Sequence, residues 1–339
     1  MRMLFPRFTI VCVLLLFVAS SSRAAESLPV VRLAHAAFNE KVAALWIGVE
    51  QGLFRKHGVE VRLIYIRTGP QTIAAMAGGE IELVYTIPSS VLSAAAGGMD
   101  LIIFGGIVKR AEGDFVVAPS IRTAEDLKGK RVGVQSIGGG IWSQTMLALE
   151  HLGLDPTRDK IAVMVIGGDQ STIAQALASG TIDAAYLGYA FSSFVKGKGF
   201  RVLLDLGQAP IPYQGLALIG RAPYLKQNPA VADSVLRGVL ESVAFVHNPA
   251  RKEVVLKSLM KNLRLSNVRE AESGYDALQW LYNLDITPTL TGIRNMQRLL
   301  AITNPKVKAI KAEDVVDEDS VRRVAQSEFY RELVARAKK

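Results

Sequence analysis

The feature that constrains this chain most is a pattern it carries twice. Arg67 to Tyr85 reads Arg-Thr-Gly-Pro-Gln-Thr-Ile-Ala-Ala-Met-Ala-Gly-Gly-Glu-Ile-Glu-Leu-Val-Tyr, and a related run ends at Tyr186, 101 residues later. Ala75, Ala77, Gly79, Ile81 and Tyr85 meet Ala176, Ala178, Gly180, Ile182 and Tyr186, and Glu82 meets Asp183. Beyond the run, Gly52-Leu53 meets Gly153-Leu154 and Gly98 meets Gly199. A stacked array needs three or more units to bury a continuous core. Two copies therefore point to two similar lobes.

Each copy reads as strand, turn, helix, strand. In the first, an apolar strand over 59–66 precedes the turn, and Pro70 and Gly78-Gly79 frame a short helix. The helix then starts at the carboxyl end of a strand, where free N–H groups and the positive end of the helix dipole favour an anion. Two such lobes facing each other enclose a cleft lined by helix N-termini.

Length and export set the context. Arg2 and Arg7 precede an apolar run over 8–19, followed by Ser-Ser-Ser-Arg-Ala at 20–24, which reads as a secretory signal cleaved after Ala24. The run is too short for a membrane span, and no later stretch has the roughly 18 apolar residues that a span needs. Cys12, the only cysteine, lies inside that run without a lipobox around it, so a mature chain of 315 residues has no disulfide, thiol nucleophile or Cys-ligated metal. Cleavage removes Arg2, Arg7 and Arg23 and takes the formal charge from +9 to +6. That excess suits an anionic ligand or a negative membrane surface. Scattered basic residues on an exported chain argue against nucleic acid.

Taken in order, strands are expected over 30–35, 59–66, 81–85 and 101–104, with helices between them, the first capped by Asn39. A crossing near Phe115 leads to a second series: a strand over 131–134, a Gly-rich loop over 135–140, a helix through Trp142, a buried strand over 161–166, the second copy of the motif, a strand ending at Tyr189, and another over 201–206. The segment 216–220 carries the chain back. Helices follow over 230–246, 252–263, 269–284 and 291–300, then a charged tail with Phe329 and Tyr330 as candidate anchors. The alternation argues for α/β lobes with mostly parallel sheets and a ligand beyond the strand carboxyl ends.

Four stretches, Gly52-Leu53-Phe54-Arg55-Lys56-His57-Gly58-Val59-Glu60-Val61, Gly79-Glu80-Ile81-Glu82, Ala124-Glu125-Asp126-Leu127-Lys128-Gly129-Lys130-Arg131-Val132-Gly133-Val134 and Gly180-Thr181-Ile182-Asp183-Ala184, resemble the nitrate/sulfonate/taurine-type substrate-binding proteins of ABC importers, a family with thiamine-precursor-related members. Each motif is loose, but their order and spacing together are specific. The resemblance spans about 30–220 and, more weakly, extends to about 304. It implies a type II periplasmic-binding-protein fold, two Rossmann-like α/β lobes joined by a two-segment hinge, with lobe 1 over 26–115 plus 219–305, lobe 2 over 116–218, and a C-terminal tail over 306–339. It further implies a monomeric, non-enzymatic periplasmic protein without cofactor or metal. Such a protein captures a small anionic or zwitterionic organic solute of the sulfonate, nitrate or taurine class. It delivers the solute to an inner-membrane ABC permease and its ATPase. Two alternatives stay open: a pyrimidine- or thiamine-precursor-related enzyme or binding protein, and a ligand-sensing receptor domain. The cysteine-rich motif of the yeast thiamine-precursor synthases is absent.

Six loops are expected at the cleft. From the first lobe come Phe38 and Asn39; Arg67, Thr68 and Gln71; Tyr85, Ser89 and Ser90. From the second come Gln135, Ser136, Gly139, Gly140 and Trp142; Asp169; Tyr186 and Tyr189. The glycines let backbone N–H groups approach an oxyanion, or form an ordinary flexible loop. Ser89 and Ser90 either donate to ligand oxygens or cap a helix. Arg67 and Asp169, at nearly equivalent turns, either face the cleft, with Arg67 on a carboxylate or sulfonate and Asp169 on an amine or latched to Arg67, or are solvated turn residues. Of Phe38, Tyr85, Trp142 and Tyr186, two are expected as aromatic walls and two as core. His35 is the most site-like histidine, with a structural role as the alternative. Glu82 and Asp183 repeat at a turn into a strand, which suggests structural duty in separate lobes.

Overall fold

The computed structural model describes residues 27–337. Its strands are β1 (Val30–His35), β2 (Glu60–Tyr65), β3 (Leu83–Thr86), β4 (Leu101–Gly106), β5 (Asp114–Val117), β6 (Arg131–Val134), β7 (Ala162–Val165), β8 (Ala184–Leu187), β9 (Arg201–Asp205) and β10 (Ala217–Arg221). They form two five-stranded sheets, ordered β2-β1-β3-β10-β4 and β7-β6-β8-β5-β9. In each sheet four strands run one way and one runs against them. The odd strand is the one arriving from the other lobe: β10 lies antiparallel between β3 and β4, and β5 lies antiparallel between β8 and β9.

The helices are α1 (Ala43–Glu50), α2 (Leu53–Lys56), α3 (Gly69–Ala77), α4 (Pro88–Ala96), α5 (Gly140–His151), α6 (Gln170–Ala178), α7 (Tyr189–Lys196), α8 (Ala222–Gln227), α9 (Pro229–His247), α10 (Lys252–Leu263), α11 (Val268–Leu281), α12 (Leu290–Leu300), α13 (Asp319–Ala325) and α14 (Glu328–Ala337).

The sequence repeat is a structural repeat. Thr68 caps α3 by accepting the Gln71 N–H, and Asp169, its counterpart, caps α6 by accepting the N–H groups of Ser171 and Thr172. Gly79 and Gly180 close these helices at φ +74° and +76°, a left-handed backbone that an L side chain strains to adopt. Glu82 accepts the backbone N–H and guanidinium of Arg32 on β1, and Asp183 accepts the same groups of Arg131 on β6. Each arginine also donates to the helix-ending glycine, Arg32 to Gly79 O at 3.1 Å and Arg131 to Gly180 O at 2.8 Å. The repeated acids therefore tie strand to helix end within their own lobes.

Two elements differ from the sequence reading. The apolar run at 161–166 is not a buried strand: β7 is the sheet edge, and its Val165 is 57% exposed. Apolar character alone cannot separate a central strand from an edge one. The strand expected to end at Tyr189 stops at Leu187, and Tyr189 opens α7, because Gly188 breaks the ladder and the apolar spacing becomes helical.

Two chain segments cross between the lobes, 107–113 and 206–216. They bond to each other through Ile107 and Val108 N–H to Leu216 O, Gly215 N–H to Val108 O, and a bridge between Arg110 and Pro212. Helix α11 packs on α10 in the first lobe and on α7 in the second. There Trp280 meets Tyr189 edge to face, ring centroids 5.9 Å apart. The tail docks on the first lobe: Arg323 pairs with Asp233 of α9 at 2.8 Å, Phe329 meets the His57 ring at 4.8 Å, and Tyr330 donates to Leu284 O. No described helix is long and apolar enough to cross a membrane. The expected secretory signal lies outside the described residues.

Candidate functional site

The carboxyl ends of β1, β3, β6 and β8 face one another across a cavity of about 50 Å³. Room for a water needs about 10–15 Å³ on this scale, so the space suits a solute of a few heavy atoms. Its wall draws on both lobes and on the crossings: Phe38, Asn39 and Lys41 after β1, Gly69 at the start of α3, Ile87 and Ser90 at the start of α4, Gly140, Ile141 and Gln144 on α5, Gln170 on α6, and Tyr213 from the hinge. Four helix N-termini thus converge on it. Helix α5 has Gly139 at its N-cap, which has no side chain to cap it, so the amides of its first turn, beside Gly140 and Ile141 on the wall, have no side-chain acceptor.

Behind the wall lies a buried polar cluster. Lys41 pairs with Glu112, and the same Glu112 oxygen accepts the Tyr186 hydroxyl at 2.7 Å and the Gln144 amide at 3.0 Å. Glu112 is fully buried on the crossing segment and Lys41 is 6% exposed. Lys41 is the one charged side chain on the described cavity wall, and Glu112 neutralises it. Glu40, also fully buried, reaches the other lobe and accepts the Tyr189 N–H at 2.9 Å. Burial, reinforced by the Glu112 charge, raises its carboxyl to about 7. The buried side-chain atoms without a protein partner include Ser90 Oγ, Gln144 Oε1, one oxygen each of Glu40 and Glu112, and the hydroxyls of Ser136, Ser143 and Thr145.

Of the residues expected at the cleft, Phe38, Asn39, Ser90, Gln135, Gly140 and Tyr186 line the cavity. Phe38 stacks on Phe191 of the other lobe at 6.1 Å. The rest are elsewhere. Arg67 and Gln71 are exposed, and no ion pair joins Arg67 to Asp169, whose carboxylate is engaged with the start of α6. Thr68 is a helix cap. Tyr85 is in the core and donates to Lys41 O, and Trp142 is buried on α5. Ser136 and Gly139 shape the loop ahead of α5, and Tyr189 donates to Asp205 at 2.6 Å. Two of the expected residues close the lobes: Ser89 Oγ donates to Gly138 O at 2.9 Å, and Gln135 Nε2 donates to Arg67 O at 2.8 Å. His35 is buried, its Nδ1 on Ala37 O at 2.9 Å and its ring against Trp46 and Tyr65, and burial lowers its pKa to about 4.

Sequence reasoning passed over Lys41, Glu112, Gln144 and Glu40. Nothing in the sequence separates Glu40-Lys41 or Lys109-Arg110-Ala111-Glu112 from ordinary solvated charge. Only the fold shows that both lie where the lobes meet. Among the described residues, no group of three or more His, Cys, Asp or Glu side chains is placed to hold a metal ion.

Known structures share this architecture. The chain aligns with a Bordetella bronchiseptica protein at TM-score 0.75 and 18% identity, covering 88% of this chain and 97% of that one. It aligns with the alkanesulfonate-binding protein SsuA of Xanthomonas axonopodis bound to MOPS at TM-score 0.70 and 20% identity, covering 86% and 99%. It aligns with the periplasmic nitrate-binding protein NrtA of Synechocystis at TM-score 0.69 and 16% identity, covering 88% and 89%. The fold is that of the periplasmic binding proteins. A Brucella abortus protein named as a binding protein is 25% identical over 235 residues, 67% of this chain and 70% of its own. The family model described as NMT1/THI5 like matches residues 39–252, well over half of the chain, and the chain belongs to the NMT1/THI5-like family.

Proposed function

We propose that this protein is a periplasmic solute-binding protein of an ABC importer, which captures a small anionic or zwitterionic organic solute between its lobes and delivers it to a permease. The observation that carries the reading is the cavity itself: it is walled by both lobes, four helix N-termini converge on it, and hydrogen bonds from Ser89 and Gln135 close it. Helix N-termini supply about 0.3–1 kcal/mol each toward a negative group, more where buried. Micromolar affinity needs about 8 kcal/mol. Hydrogen bonds to groups such as Ser90 and apolar contact with Phe38 supply the remainder. The sulfonate and nitrate ligands in the names of the similar structures agree with an oxyanion at this place. The histidine that a catalytic reading would use, His35, is occupied by Ala37 O and lies off the cavity wall, which favours binding over turnover.

The test is a thermal-shift and calorimetry screen of residues 25–339 with sulfonates, carboxylates, nitrate and amino acids. A bound solute raises the melting temperature by mass action. Loss of uptake of that solute on deleting the gene supports delivery to a permease. Binding without any effect on uptake supports a sensor.

A further inference from the structure

The polar cluster behind the cavity says something about the solute beyond its negative charge. Three donors, Lys41 Nζ, Tyr186 Oη and Gln144 Nε2, converge on a single oxygen of Glu112. This convergence fixes the Gln144 amide. Its nitrogen is turned toward the carboxylate, because the flipped amide would place oxygen against oxygen. Its Oε1 is left without a protein partner, although the side chain is only 1% exposed and lines the cavity. A buried acceptor without a donor carries its full desolvation cost, and native structures rarely leave one so. Helix N-termini cannot fill the vacancy, because they offer more donors to the solute and none to Gln144.

We infer that Gln144 is a specificity-determining residue, whose Oε1 accepts a hydrogen bond from an N–H group of the solute. The inference rests on the solute-binding reading above and narrows it: the solute carries an amine or amide as well as an acidic group. Gln144 and the uncapped start of α5 lie on the same helix about one turn apart. The two groups of the solute are therefore separated by only a few bonds, in keeping with a cavity of about 50 Å³. Lys41 and Glu112 take part indirectly, by holding the amide in the orientation that presents its oxygen.

Matched probes that differ only in the donor provide the test: taurine against ethanesulfonate, β-alanine against propionate, and acetamide as a neutral donor. Calorimetry on the wild-type chain is expected to give the amine-bearing member of each acidic pair at least about tenfold tighter binding. Gln144→Leu removes the orphaned acceptor and is expected to abolish that preference, read as the ratio of affinities within each pair. Gln144→Asn keeps an amide with both a donor and an acceptor and is expected to retain part of the preference, and the urea midpoints of the variants separate recognition from a general loss of fold. Equal affinity within each pair for the wild-type chain, or discrimination that survives Gln144→Leu, overturns the inference and leaves the solute-binding reading intact. Binding of acetamide alone, dependent on Gln144, overturns the anionic reading and keeps the inference. Failure of every probe to bind counts against both.

Discussion

Arg131 holds Asp183 through two parallel bonds, Nε to Oδ2 at 2.9 Å and Nη2 to Oδ1 at 2.8 Å, and Arg32 holds Glu82 at the corresponding place in the other lobe. The pairs are half-exposed, but each carboxylate also accepts a backbone N–H, and each arginine also reaches a helix-ending carbonyl. Arg131→Ala is expected to lower the unfolding midpoint modestly, because solvent screens the charge but not the lost geometry. Urea unfolding measures this. Solute affinity should stay within twofold of wild type, since the pair stands away from the cavity.

A buried ion pair behaves asymmetrically when it is dismantled. Lys41→Met leaves the Glu112 carboxylate buried without its cation, at an expected cost of about 3–5 kcal/mol. The double variant Lys41→Met, Glu112→Leu removes both charges and is expected to recover most of that loss. Denaturant midpoints of the two variants against wild type check the order. A double variant less stable than the single one would mean that the pair itself, rather than its imbalance, stabilises the fold.

Glu40 and His35 lie close in sequence and move stability in opposite directions with pH. The Glu40 carboxyl rises from 4.5 to about 7, through burial first and the Glu112 charge second. From pH 4.5 to 7 the folded chain therefore holds a proton that the unfolded chain has released, and stability falls as pH rises. Relative to wild type, Glu40→Gln should gain about 3 kcal/mol across that window. Burial lowers His35 from 6.5 to about 4, so its contribution is present above 6.5 and is lost as pH falls toward 4. His35→Asn should flatten that limb by a similar amount, about 3 kcal/mol. Urea midpoints of the three proteins from pH 4 to 8 separate the two effects, and parallel curves would contradict both.

Ser89 and Gln135 donate across the cleft to Gly138 O and Arg67 O. Such bonds favour the closed arrangement without necessarily touching solute. Ser89→Ala and Gln135→Ala should each raise the solute Kd about three- to tenfold, mostly through faster release. Stability of the solute-free protein should barely change. Stopped-flow release rates against unfolding midpoints tell this role from a structural one.

What could be read in the sequence was whatever leaves a local trace. Helix-ending glycines, Pro70 at a first turn and the spacing of apolar residues place α9, α10 and α12 within a residue or two. The repeat from Arg67 to Tyr85 gives two lobes because each copy folds on nearby contacts. Trp142 on α5 and Tyr85 on β3 illustrate the limit: a buried aromatic near the cleft has the same sequence signature whether it faces the core or a ligand. Glu112 shows it more sharply. Its partners, Lys41, Gln144 and Tyr186, lie 71, 32 and 74 residues away in sequence. Nothing within a short window distinguishes it from a solvated glutamate.

The edge-to-face pair of Trp280 and Tyr189 lies where α11 spans both lobes. If the lobes part, the indole loses its tyrosine neighbour and gains water on that side. Of the three tryptophans, Trp46 and Trp142 are buried and Trp280 alone meets Tyr189, so a red shift of the emission on solute release is expected chiefly from this ring. The chain therefore carries a built-in optical gauge of its opening, readable without any attached dye.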